Sequence, residues 1–405
     1  MPAHVMFMTY HLPLGSEPGA FRPWMEARLL KAAGYRVTVV TSGRQYMTCQ
    51  DLRPGPGWCT EEWVEGIRIL RTWGPPDFRR SLWRRLFHYV SYAALGGAAA
   101  LVKAGPAQRL LVGTDPIVLM PAAYSVAWLK GARLTLDERD LFPETATALG
   151  VLKEGRLTRL VFRVQQFFRR RASGLLAATP GIRERLLVYG APPEKVHLLY
   201  NADVFLDPVK LTAAGGPDVH RLTGRAFVVG YAGVLGLGDD APTLLRAAAR
   251  LQDIAELAFI IIGDGEKRRE YEDFCLREHI GNVYFLGAKP RQQVLALLAQ
   301  TDVCLQPLYG HDYFGNTLTS KTFDYHGLGK PMVFSGHGDS VKLLAASGGG
   351  FAVPPEDDAA VARAVRRLYE DPELRQRLGA AARQWFVDNI GQAAARAIIK
   401  QAMGD

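Results

Sequence analysis

Short apolar runs alternate with longer amphipathic segments along almost the whole chain. In the first half, the runs typical of strands are VMFMTY, RVTVVTS, IRILRTW, RLLVG, RLTLDE, GLLAAT and VHLLYNA. In the second half, they are FVVGYAGVLG, AFIIIGDG, NVYFLG, VCLQPL, PMVFSG and GGFAV. Near-continuous apolar strands separated by amphipathic helices indicate parallel sheets that are covered by helices on both faces.

A polar stretch with glycine and proline interrupts this alternation between Asp203 and Arg225. Because such composition is typical of a linker, we predict two doubly wound α/β domains. The expected limits are 1–202 for the first domain, 203–226 for the linker and 227–385 for the second domain. A C-terminal helix within 386–405 is expected to pack back on the first domain. Ligands of such sheets bind beyond the carboxyl ends of the strands, so we expect the site in a cleft between two facing domains.

The composition indicates a globular protein and disfavours several classes. Apolar residues make up 48% of the 405 residues, and the four cysteines lack metal-ligand spacing. Structural zinc and disulfides are therefore not expected, and a reducing cytoplasm fits best. The N-terminus lacks the pattern of a signal peptide. The longest apolar stretch is interrupted by Asp115, Pro116 and Pro121, which argues against a membrane span. The strict G-x-G-x-x-G fingerprint opens neither domain, which disfavours a hydride-transfer enzyme.

The formal charge of +9 is concentrated in the first 200 residues. Two segments there, FRRSLWRRLFHYVSYAAL and RLTRLVFRVQQFFRRRASG, interleave arginine with large apolar residues. This pattern suits peripheral binding to an anionic membrane surface. Alternatively, the apolar residues face the core and the arginines simply face solvent. The basic residues form no continuous stripe and no nucleic-acid-binding motif, so nucleic acid is not an expected partner.

Glycine-rich turns follow several of the predicted strands. The first turn of the chain contains Gly15, and in the second domain Gly233, Gly263 and Gly265 directly follow strands. Glycine lets backbone N–H groups approach an anion, and the following helix N-termini favour phosphate. A single turn of this kind would be ordinary. Successive turns at one sheet edge indicate a phosphate-bearing nucleotide.

The stretch GNTLTSKTFDYHGLGKP, residues 315–331, adds polar side chains to this series. Lys321 lies in the first turn of a predicted helix, where a cation is unfavourable unless an anion compensates it. Asp324 follows one turn later on the same face. We interpret Lys321 as a diphosphate ligand and Asp324 as an acceptor for ribose hydroxyls. The alternative is a surface ion pair between these two residues.

Motifs along nearly the whole chain resemble the retaining GT-B glycosyltransferases, of the family 4-like type. They are the glycine turn before WMEARLLKAAGYRVTVVTS, then RDLFPET, PGIRERLLVYGAPPEKVHLLYNAD, YAGVLG, IIIGDGE, NVYFLG and SKTFDYHGLGKPMV. Two of them, RDLFPE and SKTFDY, resemble the bacterial transferases of N-acetylated amino sugars, such as fucosaminyl transferases. The resemblance implies a GT-B fold, that is, two facing Rossmann-like domains.

The resemblance also implies a nucleotide sugar on the second domain, expected to be a UDP-sugar, with no cofactor and no catalytic metal. The E-x7-E motif of the family falls on Asn316 and Asp324, so an amide replaces the first carboxylate. The basic pair of the family falls near Val234 and Gly238, neither of which is basic. More of the diphosphate is therefore left to Lys321 and to backbone amides. The same stretch is expected to supply the other donor contacts, from Asn316, Thr317, Leu318, Thr319 and Ser320.

In the first domain, RLTLDERDLFPET places acidic residues directly after a strand. Many relatives carry a histidine here, near the reacting sugar, and this chain has none. Asp140 and Glu144 are the best substitutes, holding the donor sugar or the acceptor hydroxyl. Alternatively, Asp140 caps the following helix. In the retaining mechanism that the resemblance implies, the leaving diphosphate itself takes the acceptor proton, so a protein base is not required.

The leading hypothesis is therefore a retaining transferase that moves a sugar, with an N-acetylated amino sugar as one candidate, from a UDP-sugar to a lipid-linked glycan or another small acceptor that the first domain binds. Such a protein would lie in the cytoplasm, in part on the inner face of the plasma membrane. A nucleotide-sugar 2-epimerase of the same fold is the second hypothesis. A non-catalytic nucleotide-sugar-binding partner subunit is the third, because basic residues are missing at Val234 and Gly238.

Overall fold

A computed structural model describes residues 2–14, 21–144, 147, 153, 155–213, 218–236, 239–310 and 318–405, with only the backbone at 212–213. The chain divides into two compact units. The first unit comprises Met1–Asn201 together with Gln392–Asp405, and the second comprises Ala202–Gly391.

The first unit has a sheet whose described strands are β1 (His4–Met8), β2 (Arg36–Ser42), β3 (Cys59–Val64), β4 (Ile67–Thr72), β5 (Arg109–Gly113), β6 (Arg133–Glu138), β7 (Gly174–Ala177) and β8 (Val196–Leu198). Its helices include α1 (Arg22–Ala32), α2 (Leu82–Val102), α3 (Leu119–Lys130), α4 (Arg156–Arg171) and α5 (Pro180–Val188), with 3₁₀ turns at Phe78–Arg80 and Pro193–Lys195. The strand order is β3-β4-β2-β1-β5-β6-β7-β8. The order therefore reverses between β1 and β5, where such sheets bind ligands.

Every strand predicted for the first half is formed, but β3 was not predicted and it makes the sheet mixed. It pairs antiparallel with β4, whereas the other neighbouring strands are parallel. Glu65 and Gly66 connect β3 to β4 with positive φ angles of 48° and 71°, as a two-residue hairpin turn of type I′ requires. The expectation of a wholly parallel first sheet is thus wrong at this edge.

The second unit has a parallel sheet made of β9 (Phe227–Ala232), β10 (Leu257–Ile262), β11 (Val283–Gly287), β12 (Val303–Pro307), β13 (Met332–Ser335) and β14 (Gly350–Val353). Their order is β11-β10-β9-β12-β13-β14, which reverses between β9 and β12. The helices of this unit include α6 (Pro208–Ala213), α7 (Val219–Thr223), α8 (Ala241–Ala249), α9 (Arg268–Arg277), α10 (Arg291–Leu298), α11 (Ser320–Gly327), α12 (Asp339–Ser347), α13 (Asp358–Glu370) and α14 (Pro372–Asn389). All the strands predicted for the second half are formed.

The last helix, α15 (Gln392–Met403), belongs to the first unit. It packs against α1 and against β6, β7 and β8. The hydroxyl of Thr135 on β6 donates to the carbonyl oxygen of Ala402 at 2.9 Å, and Arg109 on β5 donates to the carbonyl oxygen of Met403 at 2.9 Å. Buried Ile399 and Met403 contribute to the packing of this helix.

Candidate functional site

Glycines let the turns after β9 and β10 pack backbone against backbone. The N–H of Gly233 donates to the carbonyl of Ile262, and the N–H of Gly263 donates to the carbonyl of Gly287, both at 3.0 Å. A Cβ atom on Gly263 would lie 1.8 Å from the carbonyl oxygen of Gly233, and one on Gly265 would lie 2.1 Å from that of Leu235. Side chains are therefore excluded at both positions.

The N–H of Gly265 likewise donates to a carboxylate oxygen of its neighbour Asp264, at 2.8 Å. All three N–H groups therefore already have acceptors within the protein. Loop packing thus accounts for Gly233, Gly263 and Gly265 without a ligand. Their role as donor-binding residues stays a prediction.

Lys321 lies in the first turn of α11, as the sequence predicted, and reaches the turn after β9. Its ammonium nitrogen is 2.7 Å from both carboxylate oxygens of Asp239 and 5.2 Å from the ring centre of Tyr231. The side chains of Lys321 and Asp239 are 20% and 12% exposed. This ion pair is therefore within reach of a ligand, at the edge where β9 and β12 meet α11.

Asp324 faces a different partner. Its two carboxylate oxygens accept from the guanidinium of Arg291 at 2.8 and 3.0 Å, and Asp203 lies 3.8 Å from the same guanidinium. Burial raises the pKa of Asp324 above its usual value, although Arg291 acts in the opposite direction. The alternative of a Lys321–Asp324 surface pair is wrong, since both residues are paired elsewhere. The predicted ribose contact of Asp324 stays a prediction.

The other residues predicted for the donor site differ in their burial and in their contacts. Leu318 is buried at 6% exposure, and the Thr319 hydroxyl donates to Gln306 Oε1 at 3.0 Å just before α11 begins. Ser320 is half-buried as the first residue of that helix. Three other predicted site residues lie outside the described residues: Gly15, Asn316 and Thr317.

Asp239 was not predicted from the sequence as a site residue. The resemblance placed the basic pair of the family in the same turn, near Val234 and Gly238. Val234 is exposed, and Gly238 lies outside the described residues. The next residue, Asp240, caps α8 by accepting from the N–H of Thr243 at 3.2 Å. In the sequence, Asp239 could have been noticed only as part of the acidic pair that follows the glycines. Such a pair is also typical of an ordinary helix N-cap.

In the first unit, a group of buried charges holds the turn after β6. Arg22 donates to Asp137 at 2.6 Å and lies 3.0 Å from Glu26. Arg139 bonds Asp137 and lies 3.1 Å from Glu26. We call Arg22, Glu26, Asp137 and Arg139 the buried charge network. A further pair, Arg169 and Glu138, is joined by two hydrogen bonds of 2.9 Å.

The two carboxyl groups of the buried charge network have opposite pKa shifts. Burial and the nearby charge of Asp137 raise the pKa of Glu26 to about 8. Burial opposes ionisation of Asp137 too, but Arg22 and Arg139 outweigh it and lower the pKa of Asp137 to about 2. The network therefore holds two guanidinium groups, one firmly ionised carboxylate and one carboxyl group that is mostly protonated at neutral pH.

Next to this network, a cavity of about 730 Å³ opens in the first unit. Asp140 lines it, is exposed, and accepts from the N–H of Leu141 at 2.8 Å. Glu144 is not among the lining residues, and its two carboxylate oxygens are buried. The structure thus separates the two predicted residues, and only Asp140 faces the cavity. Asp115 and His11 also line it, although the sequence did not predict them as site residues.

Comparison with known proteins finds a matching family for each of two parts of the chain. Residues 22–202 match the family described as Glycosyl transferase 4-like domain, and residues 217–385 match Glycosyl transferases group 1. The chain belongs to the GT-B glycosyltransferases. These matches, like those below, name transferases, so they favour neither the epimerase nor the non-catalytic partner subunit.

Two curated relatives of this GT-B glycosyltransferase are 25% identical to it. The 2-deoxystreptamine glucosyltransferase of Streptomyces kanamyceticus aligns over 57% of this chain and 60% of its own length. The probable glycosyltransferase WbjE of Pseudomonas aeruginosa aligns over 64% of this chain and 66% of its own length. The alignments thus span less than two thirds of either relative. Neither relative indicates the fucosaminyl subgroup by name.

Among solved structures, HepE of Anabaena in complex with UDP-glucose has a TM-score of 0.66, with 16% identity and 99% of both chains covered. At this identity, the likeness shows the GT-B fold alone. Within the described part of this glycosyltransferase, we find no helix with the length and apolar content needed to cross a membrane.

Proposed function

We propose that this protein is a retaining glycosyltransferase that transfers a sugar from a UDP-sugar to a hydroxyl group of an acceptor. The observation that carries the proposal is the position of Lys321. Its ammonium group lies in the first turn of α11 against the glycine turn after β9, with a single carboxylate, Asp239, as its ion-pair partner in the described structure. The crystal structure of HepE with UDP-glucose supports a UDP-sugar as the donor.

In the proposed reaction, the diphosphate of the donor replaces Asp239 as the partner of Lys321. Negative charge develops on the diphosphate as the bond to the sugar breaks, and an ammonium group placed there stabilises this charge. The leaving diphosphate then accepts the proton of the attacking hydroxyl, so neither a catalytic metal nor a protein base is needed. A preference for an N-acetylated amino sugar rests on the stretches RDLFPE and SKTFDY alone.

We further propose that the acceptor is lipid-linked and that the first unit binds the inner face of the plasma membrane. The support comes from α2 and α4, where apolar residues that the sequence left open between core and surface are exposed. They are Leu82, Trp83, Leu86, Phe87 and Val90 on α2, and Leu157, Leu160, Val164 and Phe167 on α4. Exposed arginines accompany them, among them Arg84 and Arg159. Exposed apolar and basic groups on one helix suit an anionic bilayer surface.

The test is nucleotide release by the purified protein from UDP-, GDP- and dTDP-sugars, with and without candidate lipid-linked and soluble acceptors. UDP release that depends on an acceptor, with the anomeric configuration retained in the product, is the expected result. UDP release in water alone with a 2-epimer product would instead establish the epimerase. Binding of a donor without turnover under any condition would contradict both enzyme hypotheses.

A further inference from the structure

Tyr231 is a buried tyrosine that lies against the ammonium group of Lys321. It belongs to β9, where it is opposite Ile261 of the neighbouring strand β10, and it is only 1% exposed. The ammonium nitrogen of Lys321 is 5.2 Å from the centre of its ring. A cation at this distance is attracted by the face of an aromatic ring. The ring of Tyr231 therefore helps to hold Lys321 at the turn after β9.

The hydroxyl group of Tyr231 meets the same ammonium group beside Gly233. A Cβ atom on Gly233 would clash with the hydroxyl oxygen of Tyr231 and would lie 2.6 Å from the ammonium nitrogen of Lys321. The two polar groups thus border the same side of this glycine. The absence of a side chain at Gly233 leaves the space in which the hydroxyl and the ammonium group approach each other.

Asp239 faces both of these groups. Its carboxylate oxygens are 2.7 Å from the ammonium nitrogen of Lys321. Burial raises the pKa of Tyr231 well above its usual value, and the negative charge of Asp239 raises it further. The hydroxyl group therefore keeps its proton at neutral pH, and a protonated phenol beside a carboxylate acts as a hydrogen-bond donor. The Asp239 carboxylate thus lies between a charged donor and a neutral one.

An exchange of Asp239 for a ligand anion would leave both donors in place. The backbone of Asp239 is fixed, because it forms a β-bridge with Leu308 and because the N–H of Asp240 donates to the carbonyl oxygen of Pro307 at 3.2 Å. The exchange therefore requires rotation of one short side chain, while the sheet holds Tyr231 and α11 holds Lys321. The anion that arrives would find the ammonium group and the hydroxyl group together.

We infer that Tyr231 is a further donor-binding residue, whose hydroxyl group donates to the diphosphate oxygen that replaces Asp239 at Lys321. This inference rests on the proposed function, since it adds a residue to the proposed donor site. It gives the site a second hydrogen-bond donor for the diphosphate, although neither Val234 nor Gly238 is basic. Lys321 supplies the positive charge, and Tyr231 supplies a neutral hydrogen bond that is fixed in direction by the sheet.

The test is a titration of UDP and of uridine into the unchanged protein and into Tyr231→Phe, which keeps the ring and removes only the hydroxyl group. Calorimetry should show that Tyr231→Phe binds UDP at least about fivefold more weakly, because a hydrogen bond to a charged group is lost. Uridine lacks the diphosphate, so its binding, followed by saturation-transfer NMR, should be unchanged. Equal UDP binding by the two proteins would overturn the inference. Equal weakening of UDP and uridine would also overturn it, since a general loosening of the unit has that effect.

Tyr92→Phe is the matched control. Tyr92 is also buried, but its hydroxyl group donates to the carbonyl oxygens of Thr9 and Val40 in the first unit, at 2.7 and 2.8 Å. This variant should bind UDP as the unchanged protein does. If Tyr92→Phe weakens UDP binding as much as Tyr231→Phe, the loss of any buried hydroxyl group is sufficient and the inference fails.

Gly233→Ala tests the same geometry without a change at Tyr231. Its methyl group would fill the space beside the hydroxyl and ammonium groups, so the folded variant should bind UDP at least about fivefold more weakly. UDP binding equal to that of the unchanged protein would contradict the meeting of the two donors at this point.

The unchanged protein tests the proposed function separately. If it binds GDP or dTDP instead of UDP, the proposal of a UDP-sugar fails. The same comparison with that nucleotide then still tests Tyr231, because the diphosphate is common to all three nucleotides. Binding of none of the three would contradict both the proposed function and this inference.

Discussion

The two units of this glycosyltransferase differ in how deeply their ion pairs are buried. In the first unit, the side chains of Arg22 and Asp137 are 2% and 0% exposed, and each has several partners within the protein. In the second unit, Lys321 and Asp239 form a pair that is partly open to solvent. Removing one member of the buried pair leaves an uncompensated charge inside the protein, whereas Lys321 can exchange Asp239 for a ligand.

This difference separates residues that build the fold from residues available for binding. Arg22 also donates to the carbonyl oxygens of Leu199 and Tyr200 at 2.8 and 3.0 Å. The buried charge network thus joins α1, the end of β6 and the segment after β8. Lys321 has no comparable set of contacts, since its ammonium bonds only Asp239 in the described structure. The comparison predicts loss of stability in the first case and loss of turnover in the second.

The largest effect is expected from Asp137→Asn. This change removes the carboxylate that Arg22 and Arg139 both bond and leaves Glu26 as the remaining carboxyl group of the network, which should lower the free energy of unfolding by about 3 to 5 kcal/mol. Urea denaturation followed by circular dichroism measures it. A loss below about 1 kcal/mol would show that the network is not held by this carboxylate.

Glu26→Gln provides the matched control within the same network. The pKa of Glu26 is about 8 in the folded protein and 4.5 ordinarily. Between these pH values the folded state keeps a proton that the unfolded chain releases, so this group's contribution to stability falls as the pH rises. Glutamine does not titrate. The stability of Glu26→Gln relative to the unchanged protein should therefore increase from pH 5 to pH 8.5, and a constant difference would contradict the shifted pKa.

The next effect concerns turnover. Lys321→Ala should lower the rate of sugar transfer at least tenfold, which corresponds to about 1.4 kcal/mol of transition-state stabilisation. Its melting temperature should fall by less than that of Asp137→Asn, because the side chains of Lys321 and Asp239 are 20% and 12% exposed, whereas those of Arg22 and Asp137 are 2% and 0% exposed. Steady-state kinetics with a saturating donor measure the rate. Unchanged turnover would remove Lys321 from the site.

A smaller effect is expected at the membrane. The double change Trp83→Ala and Phe87→Ala removes two side chains that are 76% and 59% exposed. It should weaken binding to phosphatidylglycerol vesicles by about tenfold, with little effect on stability. Leu276→Ala, equally exposed but in the second unit, serves as the control. Sedimentation with vesicles measures binding. If the double variant sediments as the unchanged protein does, α2 does not bind the bilayer.

Most strands could be predicted from the sequence because strands buried on both faces are nearly continuous apolar runs. Strand β3 lacked this signal, since it lies at the sheet edge and carries Glu61, Glu62 and the exposed Trp63. Its turn, Glu65-Gly66, was the feature that could have revealed the hairpin.

The site was less predictable because its contacts join distant parts of the chain. Lys321 was identified from its place at a helix start, but its partner Asp239 lies 82 residues away. Asp115 follows β5 and His11 follows β1, and only the pairing of these strands brings both to one cavity. Lone acidic or histidine residues after strands carry too little local pattern to be distinguished from ordinary turn residues.

The most direct test of the donor site is a calorimetric titration of UDP into the unchanged protein, Asp239→Asn and Lys321→Ala. If the diphosphate replaces Asp239 as the partner of Lys321, Asp239→Asn should bind UDP about threefold more tightly, because it removes a competing and repelling carboxylate. Lys321→Ala should bind UDP more weakly than the unchanged protein. Weaker or equal UDP binding by a folded Asp239→Asn protein would contradict the exchange of partners at Lys321, and with it the account of this site.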